Sequence, residues 1–211
     1  MILMATSTGS KSTVAKMRSA GWGILITPDN RDTHGFENFG IDNGAWSAFQ
    51  RKTEWTPDRW IPLIEKYGQT AMWAVAPDIV LGGPESLQRS LAWLPWMLDR
   101  CRRVLIAVQN GMTYEDLAPY VSDRVGIFVG GDDSWKESSL PMWGRLKTDS
   151  GCWLHVGRVN TARRIKLAAM SGADSIDGTS AIKWPETIKD ITRWEQQGAL
   201  QLFANPRKRQ K

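Results

Sequence analysis

The sequence predicts a closed (β/α)8 barrel in one domain, and three observations carry that expectation. Eight short apolar runs recur along the 211 residues. Stretches with helical spacing fill most of the intervals between them. The runs are apolar nearly throughout rather than alternating, as strands of a parallel sheet covered by helices are. The chain is short for this fold, whose usual size is about 250 residues, so helices must be brief and loops trimmed. An open doubly wound sheet is the competing architecture, but no GxGxxG or GxxxxGK stretch supports it.

In chain order, MILMAT (1–6) reads as the first strand and SKSTVAKMRSA (10–20) as the helix after it. TGSKST (8–13) lacks half of a phosphate-loop spacing and reads instead as a helix start with a Ser or Thr cap. WGILIT (22–27) and FGID (39–42) are the second and third strands, followed by a helical PDRWIPLIEKYG (57–68). MWAVAPD (72–78) precedes the helical PESLQRSLAWLPWMLDRC (84–101), and VLIAVQ (104–109) precedes TYEDLAPYV (113–121). VGIFVGG (125–131) is the sixth strand; helical spacing is weakest in the connections after the third and sixth strands. WLHVGR (153–158), TARRIKLAAMSG (161–172), ADSID (173–177) and AIKWPETIKDITRWEQQ (181–197) complete the alternation.

Composition narrows the function classes. No apolar run reaches the eighteen or so residues of a membrane span, and no basic region precedes the apolar start MILMATSTGSK, so a soluble cytoplasmic protein is expected. Cys101 and Cys152 stand far apart and outside any CxxC, which disfavours disulfide scaffolds and cysteine-rich zinc sites. Two buried free thiols are expected. The net charge of +5 gathers in RCRR (100–103), ARRIK (162–166) and a basic C-terminal tail at about 205–211. This balance favours a polyanionic partner, although any single patch could be a solvated helix face. Among the 12 tryptophans, Trp46 and Trp135 are candidates for stacking on bases.

In such a barrel the active site lies at the carboxyl ends of the strands. Those ends carry Asp42-Asn43-Gly44, Asp78, Gln109-Asn110-Gly111, Gly130-Gly131-Asp132, Gly157-Arg158 and Asp177-Gly178. Asp, Asn and Gly are ordinary turn residues, but six polar ends in register are more than turns require. Two carboxylates across a pocket permit double displacement at a sugar carbon, one attacking and the other moving protons. A Gln side chain and the N–H groups of a Gly-Gly turn can donate to a ring carbonyl such as guanine O6, and a third carboxylate can accept from a base edge. His155, inside an apolar run, reads as a hydrogen-bonded core histidine. Arg158 is either a phosphate contact or half of a salt bridge, and Asp174 a carboxylate away from the chemistry.

These residues resemble the tRNA-guanine transglycosylase superfamily over most of the chain. GIDNGAWSAF (40–49) resembles the family's Asp-Ser-Gly-Gly-type strand end, which makes Asp42 the general acid/base by resemblance. WAVAPD, LIAVQNG and IFVGGDD are similar to the base-recognising segments, which implies base-binding roles for Asp78, Gln109, Gly130 and Gly131. LHVGR is similar to the Met-Gly-Val-Gly-type strand, and GADSIDGTS resembles the Gly-Ile-Asp-Met-Phe-Asp strand, with Asp177 as the nucleophile. The tRNA enzymes' structural zinc needs three cysteines and a histidine, which this chain does not group, so neither metal nor cofactor is expected. The short, zinc-free chain looks most like the phage-type DNA-guanine transglycosylases (DpdA). That resemblance implies DNA as one substrate and a free 7-deazaguanine base, such as 7-cyano-7-deazaguanine, as the other, with the modified phage genome resisting restriction. Trp46, Trp135 and Arg158 would contact the nucleic acid. tRNA as substrate, a retaining glycosidase, and a non-catalytic nucleic-acid-binding barrel stay open as alternatives.

Overall fold

Parallel pairing runs unbroken from the first strand to the last in the computed structural model, which describes residues 1–178 and 188–204. The strands are β1 (Ile2–Thr6), β2 (Gly23–Ile26), β3 (Phe39–Ile41), β4 (Trp73–Val75), β5 (Val104–Val108), β6 (Val125–Val129), β7 (Leu154–Val156) and β8 (Ser175–Asp177). Each pairs with the next, and β8 pairs with β1 through Ile2↔Ser175 and Met4↔Asp177, closing a (β/α)8 barrel. The helices are α1 (Lys11–Ser19), α2 (Ala45–Arg51), α3 (Ile61–Tyr67), α4 (Gly83–Leu98), α5 (Tyr114–Leu117), α6 (Asp133–Ser150), α7 (Ala162–Met170) and α8 (Ile188–Ala204). The basic tail and the first part of the expected last helix, 181–187, lie outside the described residues.

Local chemistry sets the helix starts. Ser10 caps α1 by accepting from Thr13 N–H, as TGSKST predicts. Thr113 and Asp116 form a reciprocal capping box on α5, and Asp132 and Thr161 cap α6 and α7. Two connections differ from the sequence expectation: α2 precedes α3 between β3 and β4, and α6 is a full helix of 18 residues. The segment between β2 and β3 contains no helix, in keeping with the sequence, which offers no helical spacing there. Pro141 and Gly144 interrupt the pattern of α6 in sequence. In the structure Gly144 is the point where α6 meets the end of α7, since a Cβ there would lie 2.6 Å from Ser171 O.

Strand alternation divides the core in two. Ile24, Ile26, Ile41, Ala74, Val104, Ile106, Val108, Ile127 and Val129 belong to the layer shared with the helices. Met4, Leu25, Trp73, Val75, Leu105 and Ala107 form a second cluster that fills the barrel, with Phe128 and Trp153 against it. Trp73 needs a glycine on the neighbouring strand: a Cβ on Gly40 would lie 2.7 Å from its ring. The interior is therefore packed below, and the open space lies at the carboxyl end of the strands. Cys101 and Cys152 are free and buried, and burial pushes the Cys101 thiol up to about 12. Among the described residues, no helix is long and apolar enough to cross a membrane.

Candidate active site

The inward register continues past the apolar residues into the site. Asp42 follows Gly40 by two positions, Gln109 follows Ala107, and Asp177 follows Ser175. Asp42, Asp78, Gln109, Gly130, Gly131, Arg158, Trp46 and Asp177 line one cavity of about 180 Å³. That is smaller than pockets for drug-sized ligands, which run to about 300–1,000 Å³, and admits one ring system rather than a length of polymer.

Asp177 sits at the end of β8 with only 9% of its surface exposed. Its Oδ2 is 2.9 Å from His155 Nε2, and its Oδ1 accepts from Arg158 N–H at 3.2 Å. Arg158 adopts a left-handed φ of 57°, a strained conformation for a non-glycine residue, in which its backbone N–H faces the carboxylate. The residue after Asp177 must be glycine for want of room: a Cβ on Gly178 would meet Val159 O at 2.6 Å.

Asp42 is half-buried, and its Oδ1 accepts from Gly44 N–H at 2.6 Å. Removal from bulk water raises its pKa to about 7, and the charges of Asp177 and Asp78 push in the same direction. This is the range in which a carboxyl group can both donate and accept a proton near neutrality.

Asp78 is held from both sides. Asn43 Nδ2 donates to Oδ1 and Gln109 Nε2 to Oδ2, each at 2.7 Å, while burial pushes the carboxyl up. Gln109 is fully engaged: Nε2 also reaches Ser86 Oγ at 3.2 Å, and Oε1 accepts from Gly82 N–H at 3.0 Å. Gln109 therefore orients Asp78 in this structure instead of pointing a free donor into the cavity. Each Asp78 oxygen keeps a second lone pair for a ligand. Asn43, part of a polar strand end in the sequence, proves to be a bracket. Its Nδ2 also donates to Ala76 O at 2.7 Å, and its Oδ1 accepts from Ala45 N–H at 2.8 Å, so one side chain joins the ends of β3 and β4 to the start of α2.

Gly130 and Gly131 form the turn after β6. Gly131 has φ +71°, and a Cβ on it would lie 2.5 Å from the Trp135 ring, so the residue is fixed by conformation and by packing. Trp135 lies under this turn against Trp143, with ring centroids 6.2 Å apart, and does not line the cavity. Half-buried Trp135 thus stands outside the cavity, unlike Trp46, the other tryptophan expected to contact nucleic acid. Trp46 is at the cavity and 37% exposed, stacked on the more exposed Phe49 at 5.7 Å. The Arg158 guanidinium lies 4.2 Å over the Trp46 ring and donates to Gly131 O. It forms a wall of the cavity and makes no ion pair among the described residues. Asp174 pairs with Lys147 at 2.5 Å, away from the chemistry, as expected.

Two buried groups behind the site were not assigned to it from sequence. His155 is fully buried and touches Asp177 directly. Lys136 of α6 is buried and donates to Gly157 O at 2.5 Å; burial, with the charge of Arg158, lowers its pKa to about 8 against the pull of Asp177. His155 sits inside an apolar run, and Lys136 is one charged residue among the polar DDSWKESS, so neither stands out in sequence. Among the described residues no group of three or more His, Cys, Asp or Glu is placed to hold a metal ion.

Compared with known proteins, the chain matches no family model, and no curated protein matches it at a significant level. Its fold and site define a (β/α)8 barrel with three carboxylates, two of them with raised pKa values, around a cavity the size of one ring system.

Proposed function

We propose that the chain is a DNA-guanine transglycosylase. It exchanges guanine in DNA for a 7-deazaguanine base, such as 7-cyano-7-deazaguanine, through a covalent Asp177–deoxyribose intermediate, and so protects phage DNA from restriction. One observation carries this reading: Asp177 and Asp42 face a single cavity of about 180 Å³ whose wall also bears Asp78, braced with lone pairs to spare. The family resemblance of the strand ends supplies the substrate class.

The reaction divides into two displacements. A guanine nucleotide leaves the stack and enters the cavity, at a cost of a few kcal/mol that stacking on exposed Trp46 can partly offset. Asp78 accepts from the N1 and 2-amino hydrogens of the base. An Asp177 oxygen attacks C1′ from the face opposite the base, the C1′–N9 bond breaks, and protonated Asp42 gives its proton to the departing guanine. The incoming deazaguanine then loses its N9 proton to Asp42 and attacks C1′. The ester bond to Asp177 breaks, with net retention, and both aspartates return to their starting state.

The test is base exchange with labelled guanine, run on DNA and on tRNA in parallel. Label enters DNA with the wild type. Asp177→Asn abolishes incorporation, and Asp42→Asn lowers it by about 10²–10⁴-fold, the usual worth of general acid–base catalysis. Full exchange by either variant, release of base without incorporation, or labelling of tRNA alone overturns the proposal.

A further inference from the structure

We infer that His155 is a positioning residue for Asp177, held as the neutral Nε2–H tautomer by a hydrogen-bond chain that starts at Trp153 inside the barrel; the inference rests on the nucleophilic role proposed for Asp177. The chain runs through three strand positions. Trp153 Nε1 donates to Ser175 Oγ at 3.0 Å, Ser175 Oγ lies 2.8 Å from His155 Nδ1, and His155 Nε2 lies 2.9 Å from Asp177 Oδ2.

Proton positions follow from what each group can do. An indole N–H only donates, so Ser175 Oγ accepts from Trp153; the buried hydroxyl proton then finds its acceptor in its other hydrogen-bond partner, His155 Nδ1. Nδ1 is then an acceptor, the ring proton sits on Nε2, and it is given to the carboxylate. In the opposite tautomer a ring lone pair would face Oδ2 at 2.9 Å. In the doubly protonated ring the Ser175 hydroxyl would lose its acceptor. One arrangement satisfies the whole chain with Asp177 ionised.

Packing locks the ring in place. Trp73 and Phe128 lie against His155 at centroid distances of 4.6 and 4.8 Å, and the histidine is 0% exposed. The Ser-His-Asp order invites comparison with a hydrolase triad, but the direction is reversed. Ser175 is also 0% exposed and does not line the cavity, whereas Asp177 does. The reactive end is the carboxylate, and the serine is its anchor.

The chemical consequence falls on bond breaking at Asp177. The shorter hydrogen bond engages Oδ2, which leaves Oδ1 as the attacking oxygen. In the ester, Oδ2 is the carbonyl oxygen beside His155 N–H. When the incoming base attacks C1′ and displaces the carboxylate, negative charge returns to Asp177, and this donor stabilises it. No proton is transferred through His155.

The experiment combines a spectrum of the free protein with single-turnover kinetics. A long-range 1H–15N spectrum at neutral pH is expected to show His155 protonated at Nε2 alone; Nδ1–H or a doubly protonated ring overturns the inference. His155→Leu removes the donor at similar size, and His155→Gln keeps an N–H near the position of Nε2. Breakdown of the covalent adduct slows about 10- to 100-fold in the Leu variant, the worth of a hydrogen bond to a charged group. KM for the free base stays unchanged, and the Gln variant recovers most of the rate. Wild-type kinetics in the Leu variant, or equal losses in both folded variants, overturn the inference. If the Leu variant fails to fold, Ser175→Ala replaces it: the Nε2 proton signal weakens and adduct breakdown slows, and no change in either overturns the inference. Wild-type protein that forms no adduct on DNA or tRNA overturns the proposed function instead, and the spectrum then decides separately whether His155 holds Asp177 in this tautomer.

Discussion

Asp42 holds a proton at a pH where most carboxyl groups have lost theirs. Burial is the largest cause of its rise to about 7; Asp177 and Asp78 add to it, and the Gly44 N–H opposes it. In the proposed double displacement the two half-reactions require opposite states of this group. Adduct formation uses protonated Asp42, so its rate should fall as pH rises through about 7; attack by the incoming base uses the ionised form, so adduct breakdown should rise through the same range. Rapid-quench measurement of each half-reaction across that range reads the two limbs separately. Rates that are flat, or that move together, would show that Asp42 is not the group exchanging the proton. Asp78 differs in kind, because its carboxylate is gripped by Asn43 and Gln109, and in the proposed reaction it holds the base instead of moving a proton.

At the scale of strands, the interior of the barrel supports the site. Trp73 packs against His155, and it can do so only because β3 offers Gly40 beneath its ring. Gly40→Ala should destabilise the protein by about 1–3 kcal/mol, as overpacking does. In a Trp73→Leu background, denaturant unfolding should show that penalty at least halved. Additive penalties would mean that the contact between Gly40 and Trp73 is not the cause. The strand ends were legible in sequence because Asp42, Gln109 and Asp177 break apolar runs, and a polar residue at the end of a buried strand has little packing reason to be there. His155 was visible only as a core histidine. In a parallel barrel both faces of a strand are apolar, so the two-residue register linking His155 to Gly157, and Ser175 to Asp177, does not stand out. α6 was hidden for a different reason: Pro141 and Gly144 are helix breakers by propensity, and only the crossing with α7 explains the glycine. The commitment of Gln109 to Asp78 depends on a contact across 31 residues, which no local pattern encodes.

The chain of 211 residues closes its barrel with no helix between β2 and β3, and packs Trp73 and Trp153 among aliphatic side chains in the interior. The cavity that remains is about 180 Å³, and exposed Trp46 lines it, with exposed Phe49 stacked on that ring, on a chain with net charge +5. These features fit a polymer that approaches from outside and inserts a single nucleotide. The most direct test is to mix the protein with a guanine-containing DNA strand, quench in denaturant, digest, and locate the covalent adduct by mass spectrometry. The expected result is a deoxyribose-linked mass on the peptide containing Asp177, absent from Asp177→Asn. An adduct on any other residue, or exchange of labelled base with no adduct trapped, would contradict the double displacement on which the proposed function depends.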